Sequence, residues 1–240
     1  MIVPVKQLII RGIAWLSNQV QKRDKIKRTY WLSERLAEYN YVIRFIDRFA
    51  QFKENKPVPK VLDIGPGRSP FPALLDFCGF DVTAIDLKEK SGFWSGYFNQ
   101  YYPVKNHDIT KPLNETFDII TSISTLKHID NREAAFENIF NALRPGGIFV
   151  FTAPYSHFKS FNAYDHPSAG YGKDREYPCH IFSFEFINRM KQKYEWLLFD
   201  EIGLQVFTGE FWTQGKRLYP TPEQFKPDLA VFAFEKPVTK

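Results

Sequence analysis

The sequence predicts a doubly wound α/β fold built on a mostly parallel sheet, and three observations carry that reading. Beyond residue 60, apolar runs of strand length alternate with segments whose apolar residues recur at helical spacing. The first run, VLDI at 61–64, passes directly into GPGRSP, a glycine turn that leads into a helix pattern. Later runs of strand length, among them FDIITSI at 117–123 and GIFVFTA at 147–153, continue the alternation with helical segments, which implies a parallel sheet covered on both faces.

Composition agrees with one sizeable core. The chain has 240 residues, 44% of them hydrophobic, enough for a single domain. Aromatic residues make up 17%, including 24 Phe, and such rings fill a core more readily than they stack on a ligand. Two cysteines, Cys78 and Cys179, are too few for a disulfide framework and point to a reducing, cytoplasmic setting. A net charge of +5 is modest at this length, so only its distribution is informative.

The elements follow in chain order. MIVPVKQLIIRGIAWLSNQV at 1–20 resembles an amphipathic helix, and QKRDKIKR at 21–28 adds five basic residues with one acid. Arg11 interrupts the apolar run well short of the about 20 residues that cross a bilayer, and no small-residue cleavage signature follows. The favoured placement is a helix docked on the domain with a solvated basic end. The alternative lays it on anionic lipid as a peripheral membrane contact. From 29 to 53 the helical pattern continues through Leu32, Leu36, Tyr39, Val42, Ile43, Ile46 and Phe49. KENKPVPK then breaks it, so residues 1–56 read as a helical N-terminal extension and 57–240 as the main domain.

In that domain VLDI is the first strand and PALLDFCG the first helix, followed by DVTAID at 81–86 and a weaker strand near 104–109. FDIITSI, the helix REAAFENIFNAL and GIFVFTA come next. The stretch 154–186 is long and irregular, as a substrate-binding insertion would be. GLQVFTGEFW and LAVFAFEK then read as two strands separated by a proline-bearing loop. Within the turn, Gly65 and Gly67 permit positive φ and close backbone approach. Ser69 and Pro70 start the helix, and Gly79 ends it as a left-handed cap. Asp86, 23 residues after Asp63, closes the second strand where ribose hydroxyls would be met.

Three ligands compete for such a turn. A nucleoside triphosphate is disfavoured, because GPGRSP lacks the lysine of G-x-x-x-x-G-K-[ST]. A dinucleotide needs a third glycine where Pro70 stands, and Asp63 would set negative charge beside its pyrophosphate. S-adenosylmethionine has no phosphate and carries two cations, an ammonium and a sulfonium. Beside that ligand Asp63 is favourable.

Five segments in order resemble the class I S-adenosylmethionine-dependent methyltransferases, and among them the small-molecule group related to the quinone-biosynthesis enzymes. VLDIGPG looks like the first motif, which implies that Asp63, Ile64, Gly65, Pro66 and Gly67 cradle the methionine part of the cofactor. VTAID followed by Leu87 resembles the second, with Asp86 on the ribose, and HDIT the third, with Asp108 and Ile109 beside the adenine. FDIITSISTLKHI is similar to the fourth and places Ser122 and Ile123 near the cofactor; LRPGGIFVFTAP looks like the fifth-strand signature. The resemblance implies a Rossmann-like sheet of seven strands with an antiparallel C-terminal hairpin, and methyl transfer to a small-molecule acceptor, sugar or lipid-linked intermediates included.

The departures are Ser69 at the family's third glycine; Arg68 before it, expected to pair with a nearby carboxylate, the alternative being the cofactor's carboxylate; and Lys127 where Glu is common, expected on the exposed start of a helix. His128 is expected to be a packed structural histidine, and His157, His166 and His180 lie in the insertion, so no catalytic residue is assigned. Asp165, His166, Cys179 and His180 match no zinc spacing, and no metal is expected. The basic cluster lacks aromatics before Tyr30 and Trp31, which argues against nucleic acid. Two rivals stay open: a non-catalytic S-adenosylmethionine-binding or scaffold protein, and an NAD(P)-dependent oxidoreductase, which Pro70 and Asp63 oppose.

Overall fold

A computed structural model describes residues 35–50, 57–87, 99, 101–166, 169, 177–198, 203–207, 217–218, 225 and 227–238. The expectations for residues 1–34 and 51–56, the basic cluster included, lie outside the described residues, as does most of SGFWSGYFNQYY.

Five strands run parallel in the order β3 (Val104–Asn106), β2 (Asp81–Asp86), β1 (Lys60–Ile64), β4 (Phe117–Ile123), β5 (Leu143–Ser156). The chain winds outward from β1 in one direction through β2 and β3, then returns and continues on the other side through β4 and β5. The order therefore reverses beside β1, and a crevice opens there at the carboxyl ends of β1 and β4. β11 (Asp228–Glu235) adds antiparallel to β5 over eight residues, and β9 (Gly203–Phe207) adds antiparallel to β11, which gives the expected C-terminal hairpin.

Eleven strands are present among the described residues, against the seven expected. The additions are short: β6 (Phe161–Asn162), β7 (His180–Ser183), β8 (Leu197–Leu198) and β10 (Arg217–Leu218). Without these four the seven principal strands remain. β6 and β7 fold part of 154–186 into a small antiparallel pair that joins the end of β5. That stretch carries no period long enough to mark strands in the sequence. The helix after it, α4 (Phe184–Lys193), begins where the Ser183 hydroxyl accepts the Phe186 N–H at 3.2 Å.

Period-two alternation assigns the core. Leu62, Ile120, Phe149, Phe151, Phe232 and Phe234 face one side of the sheet, under α3 (Arg132–Ala142) and α4. Their neighbours Val61, Ile119, Ile148, Val150, Val231 and Ala233 face the other, under α1 (Arg35–Phe49) and α2 (Phe71–Phe77). Phe136 of α3 meets the rings of Phe149, Phe151, Phe186 and Trp196 at 5.5 to 5.8 Å, so the high Phe content is spent on the core. The inward stripe of α1 is Val42, Phe45 and Ile46, with Glu38 one turn earlier; Ile43, expected inside, is 38% exposed because it lies off that stripe. No helix among the described residues is long and apolar enough to cross a membrane.

The end of the sheet away from the crevice is tied by charge. Asp118 accepts the Lys60 N–H at 2.8 Å and takes Arg144 Nη1 on both oxygens at 2.8 Å. Lys236 Nζ donates to the carbonyls of Phe140 and Leu143 at 2.7 and 2.8 Å, closing the open end of α3. Gly147 fits between these groups only because it lacks a side chain: a Cβ would stand 2.8 Å from the Asp118 carbonyl and 2.9 Å from that of Arg144. Both are backbone atoms, so Gly147→Ala is expected to destabilise the fold by about 1–3 kcal/mol in urea titration.

Candidate functional site

At the crevice the glycine turn is held from three sides. Gly65 and Gly67 have φ of +71° and +54°, a conformation that favours glycine. The Gly65 N–H donates to the Ile85 carbonyl at 2.8 Å, and its carbonyl accepts Thr125 Oγ1 at 2.8 Å. A Cβ on Gly65 would stand 2.1 Å from the Thr125 methyl, so the turn and the loop after β4 touch backbone to side chain. The Gly67 N–H donates to Asp86 Oδ2 at 2.9 Å, which ties the turn to the end of β2.

The start of α2 differs from the expectation. Pro70 occupies the cap position, Pro72 lies in the first turn, and Ser69 reaches forward so that its Oγ accepts the Phe71 N–H at 3.0 Å. Ser69 also shares a 2.6 Å hydrogen bond with the Tyr39 hydroxyl of α1, and its carbonyl accepts Asn99 Nδ2 at 2.8 Å. Gly79, with φ of +95°, ends the helix as expected.

Asp63 dominates the electrostatics. It is 2% exposed, accepts Thr121 Oγ1 at 2.7 Å, and sits opposite Thr121 in the register of β1 with β4. Loss of hydration pushes its pKa up to about 7; the Thr121 hydrogen bond opposes this, Asp86 adds to it, and Arg35 pulls it down. Burial also raises the pKa of Asp86, against the backbone N–H groups of Gly67 and Leu87. Two acids thus converge where a phosphate would need donors.

The other expected residues lie around this pair. Ile64 and Pro66 are buried, and Ser122 Oγ reaches the Ile64 carbonyl at 3.4 Å. Ile123 is 8% exposed, and its carbonyl receives Arg35 and Thr125. Leu87 is exposed at the rim. Asp108 and Ile109 lie in the turn after β3, directly after His107, whose N–H donates to the Asp86 carbonyl at 3.1 Å: Asp108 Oδ1 accepts the N–H and hydroxyl of Thr110, and the Ile109 carbonyl accepts Asn138 Nδ2 at 3.0 Å. The sequence reading missed Arg35, Glu38, Ser124, Thr125 and Thr152. Glu38 is fully buried and accepts Ser124 Oγ at 2.6 Å, Thr152 Oγ1 at 2.5 Å and Arg35 Nη1 at 2.9 Å. Its signal was a charged residue on the apolar stripe of α1.

Comparison with known proteins identifies the family. A family described as a methyltransferase domain matches residues 32–214, three quarters of the chain. The chain belongs to the class I S-adenosylmethionine-dependent methyltransferase family. It is 26% identical over 155 residues to a ubiquinone biosynthesis O-methyltransferase of Chromobacterium violaceum, covering 60% of this chain and 65% of that one. It is 29% identical over 112 residues to squalene methyltransferase 1 of Botryococcus braunii, covering 43% and 30%. The chain therefore spans less than two thirds of either relative. The fold is shared with an S-adenosylmethionine-dependent methyltransferase structure from Clostridium acetobutylicum at 16% identity and a TM-score of 0.55, over 92% of this chain and 99% of that one.

Two departures from the family pattern have physical readings here. Ser69, at the third glycine position, supplies the hydroxyl that joins α1 to the turn. Lys127 is 7% exposed rather than on an open helix start, because residues 126–128 form a single tight turn tucked under β5 and β7. His128 Nδ1 lies 2.8 Å from the Pro178 carbonyl, with its ring edge-on to Tyr177. His166 stacks on Phe225 at 3.8 Å, and His180 lies 3.2 Å from Asp130. His157 Nε2 is 3.5 Å from the buried Asp228, and burial lowers its pKa.

Asp63 makes a pH prediction with a definite sign. Its folded pKa is raised from 3.8 to about 7, so the folded chain holds a proton there that the unfolded chain releases. That stabilising contribution is complete below about pH 4 and disappears as pH rises through 7. Urea unfolding from pH 4 to 8 should show the stability of Asp63→Asn rising relative to the parent chain. A constant difference across that range would contradict the assignment.

Proposed function

We propose that the chain transfers a methyl group from S-adenosylmethionine to a small-molecule acceptor. The observation that carries this reading is Asp63, an acid without water at the mouth of a glycine turn, with Asp86 close enough to raise its pKa further. Such a pair repels a pyrophosphate and fits a ligand whose nearest groups are cationic. The oxidoreductase reading is disfavoured on the same ground.

The residues fit the group in sequence order. Asp63, Ile64, Gly65, Pro66 and Gly67 would hold the methionine part, with the Asp63 carboxylate on the ammonium. Asp86 and Leu87 would meet the ribose, Asp108 and Ile109 the adenine, and Ser122 and Ile123 would floor the crevice. When bound, the cofactor supplies a sulfonium-activated methyl carbon and its leaving group. The chain has to align the acceptor with that carbon and keep water out.

β5 supports an acceptor wall on one side. It runs four residues past its last pairing with β4, from Thr152 to Ser156, where it carries β7 and β11. Residues 154–186 are the proposed acceptor-binding insertion on that wall, and residues 1–56 the proposed N-terminal cap. The named substrates of the relatives, a ubiquinone precursor route and squalene, favour an apolar or lipid-linked acceptor over nucleic acid. A peripheral contact of the basic N-terminal segment with anionic membrane is compatible with such an acceptor.

Thermal unfolding tests the cofactor. At one hundred times its dissociation constant S-adenosylmethionine should stabilise the fold by about 2.7 kcal/mol, and a nicotinamide dinucleotide should not; the reverse result would overturn the reading. Transfer of labelled methyl groups to phenolic quinone precursors and isoprenoids then separates an enzyme from a cofactor-binding scaffold. Because the ammonium favours ionised Asp63, affinity for S-adenosylhomocysteine should rise by at most about tenfold per pH unit up to pH 7 and level off above it. In Asp63→Asn the calorimetric affinity should be weaker and lose this slope.

A further inference from the structure

We propose that Glu38 is a positioning residue of the cofactor site: it locks Ser124 in a left-handed backbone conformation so that the loop after β4 closes on Gly65. The proposal rests on reading this crevice as the S-adenosylmethionine site. Ser124 has φ of +54°, and the only other non-glycine residue with positive φ among the described residues is Glu195. A serine held there is strained, so surrounding groups must over-determine it.

One carboxylate oxygen does this twice. Glu38 Oε1 accepts the Ser124 hydroxyl at 2.6 Å and the Thr152 hydroxyl at 2.5 Å. Because it donates its hydrogen bond to Glu38, the Thr152 hydroxyl turns a lone pair to the Ser124 N–H, which it accepts at 2.9 Å. Ser124 is thus gripped at its side chain by Glu38 and at its amide by Thr152, whose Glu38-oriented hydroxyl and backbone carbonyl, the latter at 3.1 Å, share that N–H. Glu38 Oε2 takes Arg35 Nη1, and that nitrogen also reaches the Ile123 carbonyl at 3.3 Å, so the residue before Ser124 is held as well.

The consequence falls on the next residue. Thr125 donates to the Gly65 carbonyl and fills the space a side chain on Gly65 would need. The chain of contacts therefore runs from α1 through Glu38 and Ser124 to Thr125 and the glycine turn. Val42, Phe45 and Ile46 already dock α1 by apolar contact, so burying a carboxylate beside them is costly unless it does something they do not.

Glycine adopts the left-handed conformation without strain, and this gives a test that a merely structural role would not pass. Calorimetric titration of S-adenosylhomocysteine is compared for the parent chain, Glu38→Ala, Ser124→Gly and the double variant, with thermal unfolding of each. Glu38→Ala should bind about tenfold more weakly. In the double variant most of that affinity should return while its Tm stays low, since glycine restores the backbone but none of the hydrogen bonds. Should Glu38→Ala not fold, Glu38→Gln, which keeps volume and removes charge, is read in the same way with and without Ser124→Gly. Parent-like affinity in the Glu38 variants, or a loss that Ser124→Gly does not recover, overturns the proposal. Absence of binding by the parent chain overturns the functional reading and the proposal with it.

Discussion

A carboxylate cut off from water at the end of the central strand governs the chemistry open to this protein. Asp63 has one hydroxyl partner, a second acid in electrostatic reach, and a guanidinium as the nearest relief. An acid in such surroundings favours its protonated form unless a cation arrives, and the cost of keeping it is met when one does. The rest of the crevice follows from that constraint. Gly65 and Gly67 bring backbone close without side chains, Asp86 is held by the Gly67 amide, and Asp63 and Asp86 together set negative charge where a phosphate would need the opposite.

The two ends of the sheet solve different problems. At the far end the charged groups named above are paired, Asp118 with Arg144 and the Lys60 amide and Lys236 with two helix carbonyls, and Gly147 is wedged among backbone oxygens. That end is closed and has little to gain from a ligand. At the crevice the backbone is strained at Ser124, acids are buried, and the strands end at different heights. Strain and unrelieved charge collect where a ligand can compensate them, as expected of a site set on an otherwise consistent fold.

Legibility followed sequence distance. Asp63, Gly65, Gly67 and Asp86 lie in short local patterns whose spacing encodes a strand, a turn and a second strand, and the sheet they imply is present with its C-terminal hairpin. Glu38 could not be read in the same way. Its partners Ser124 and Thr152 are 86 and 114 residues away, and only the three-dimensional fold unites them. Lys127 was misplaced for a related reason, since its burial depends on β5 and β7 closing over a turn that looks exposed in one dimension. The small pair β6 and β7 left no period to detect, because two- and four-residue strands are too short to alternate visibly.

The same distinction explains why the cofactor is easier to infer than the acceptor. A cofactor common to a family meets backbone and short motifs at the switch point of the sheet, a place that topology fixes. An acceptor meets whatever the chain adds around it; on the proposed reading these would be the extension of β5, the segment that β6 and β7 fold, and the histidine beside Asp228. Those pieces carry no shared pattern, since each alters the crevice without disturbing the strands beneath. Glu38 lies between the two cases. It belongs to a helix outside the motif-bearing sheet, yet it acts on the residue beside the glycine turn, so changes in the N-terminal region can reach the cofactor site without touching any motif residue.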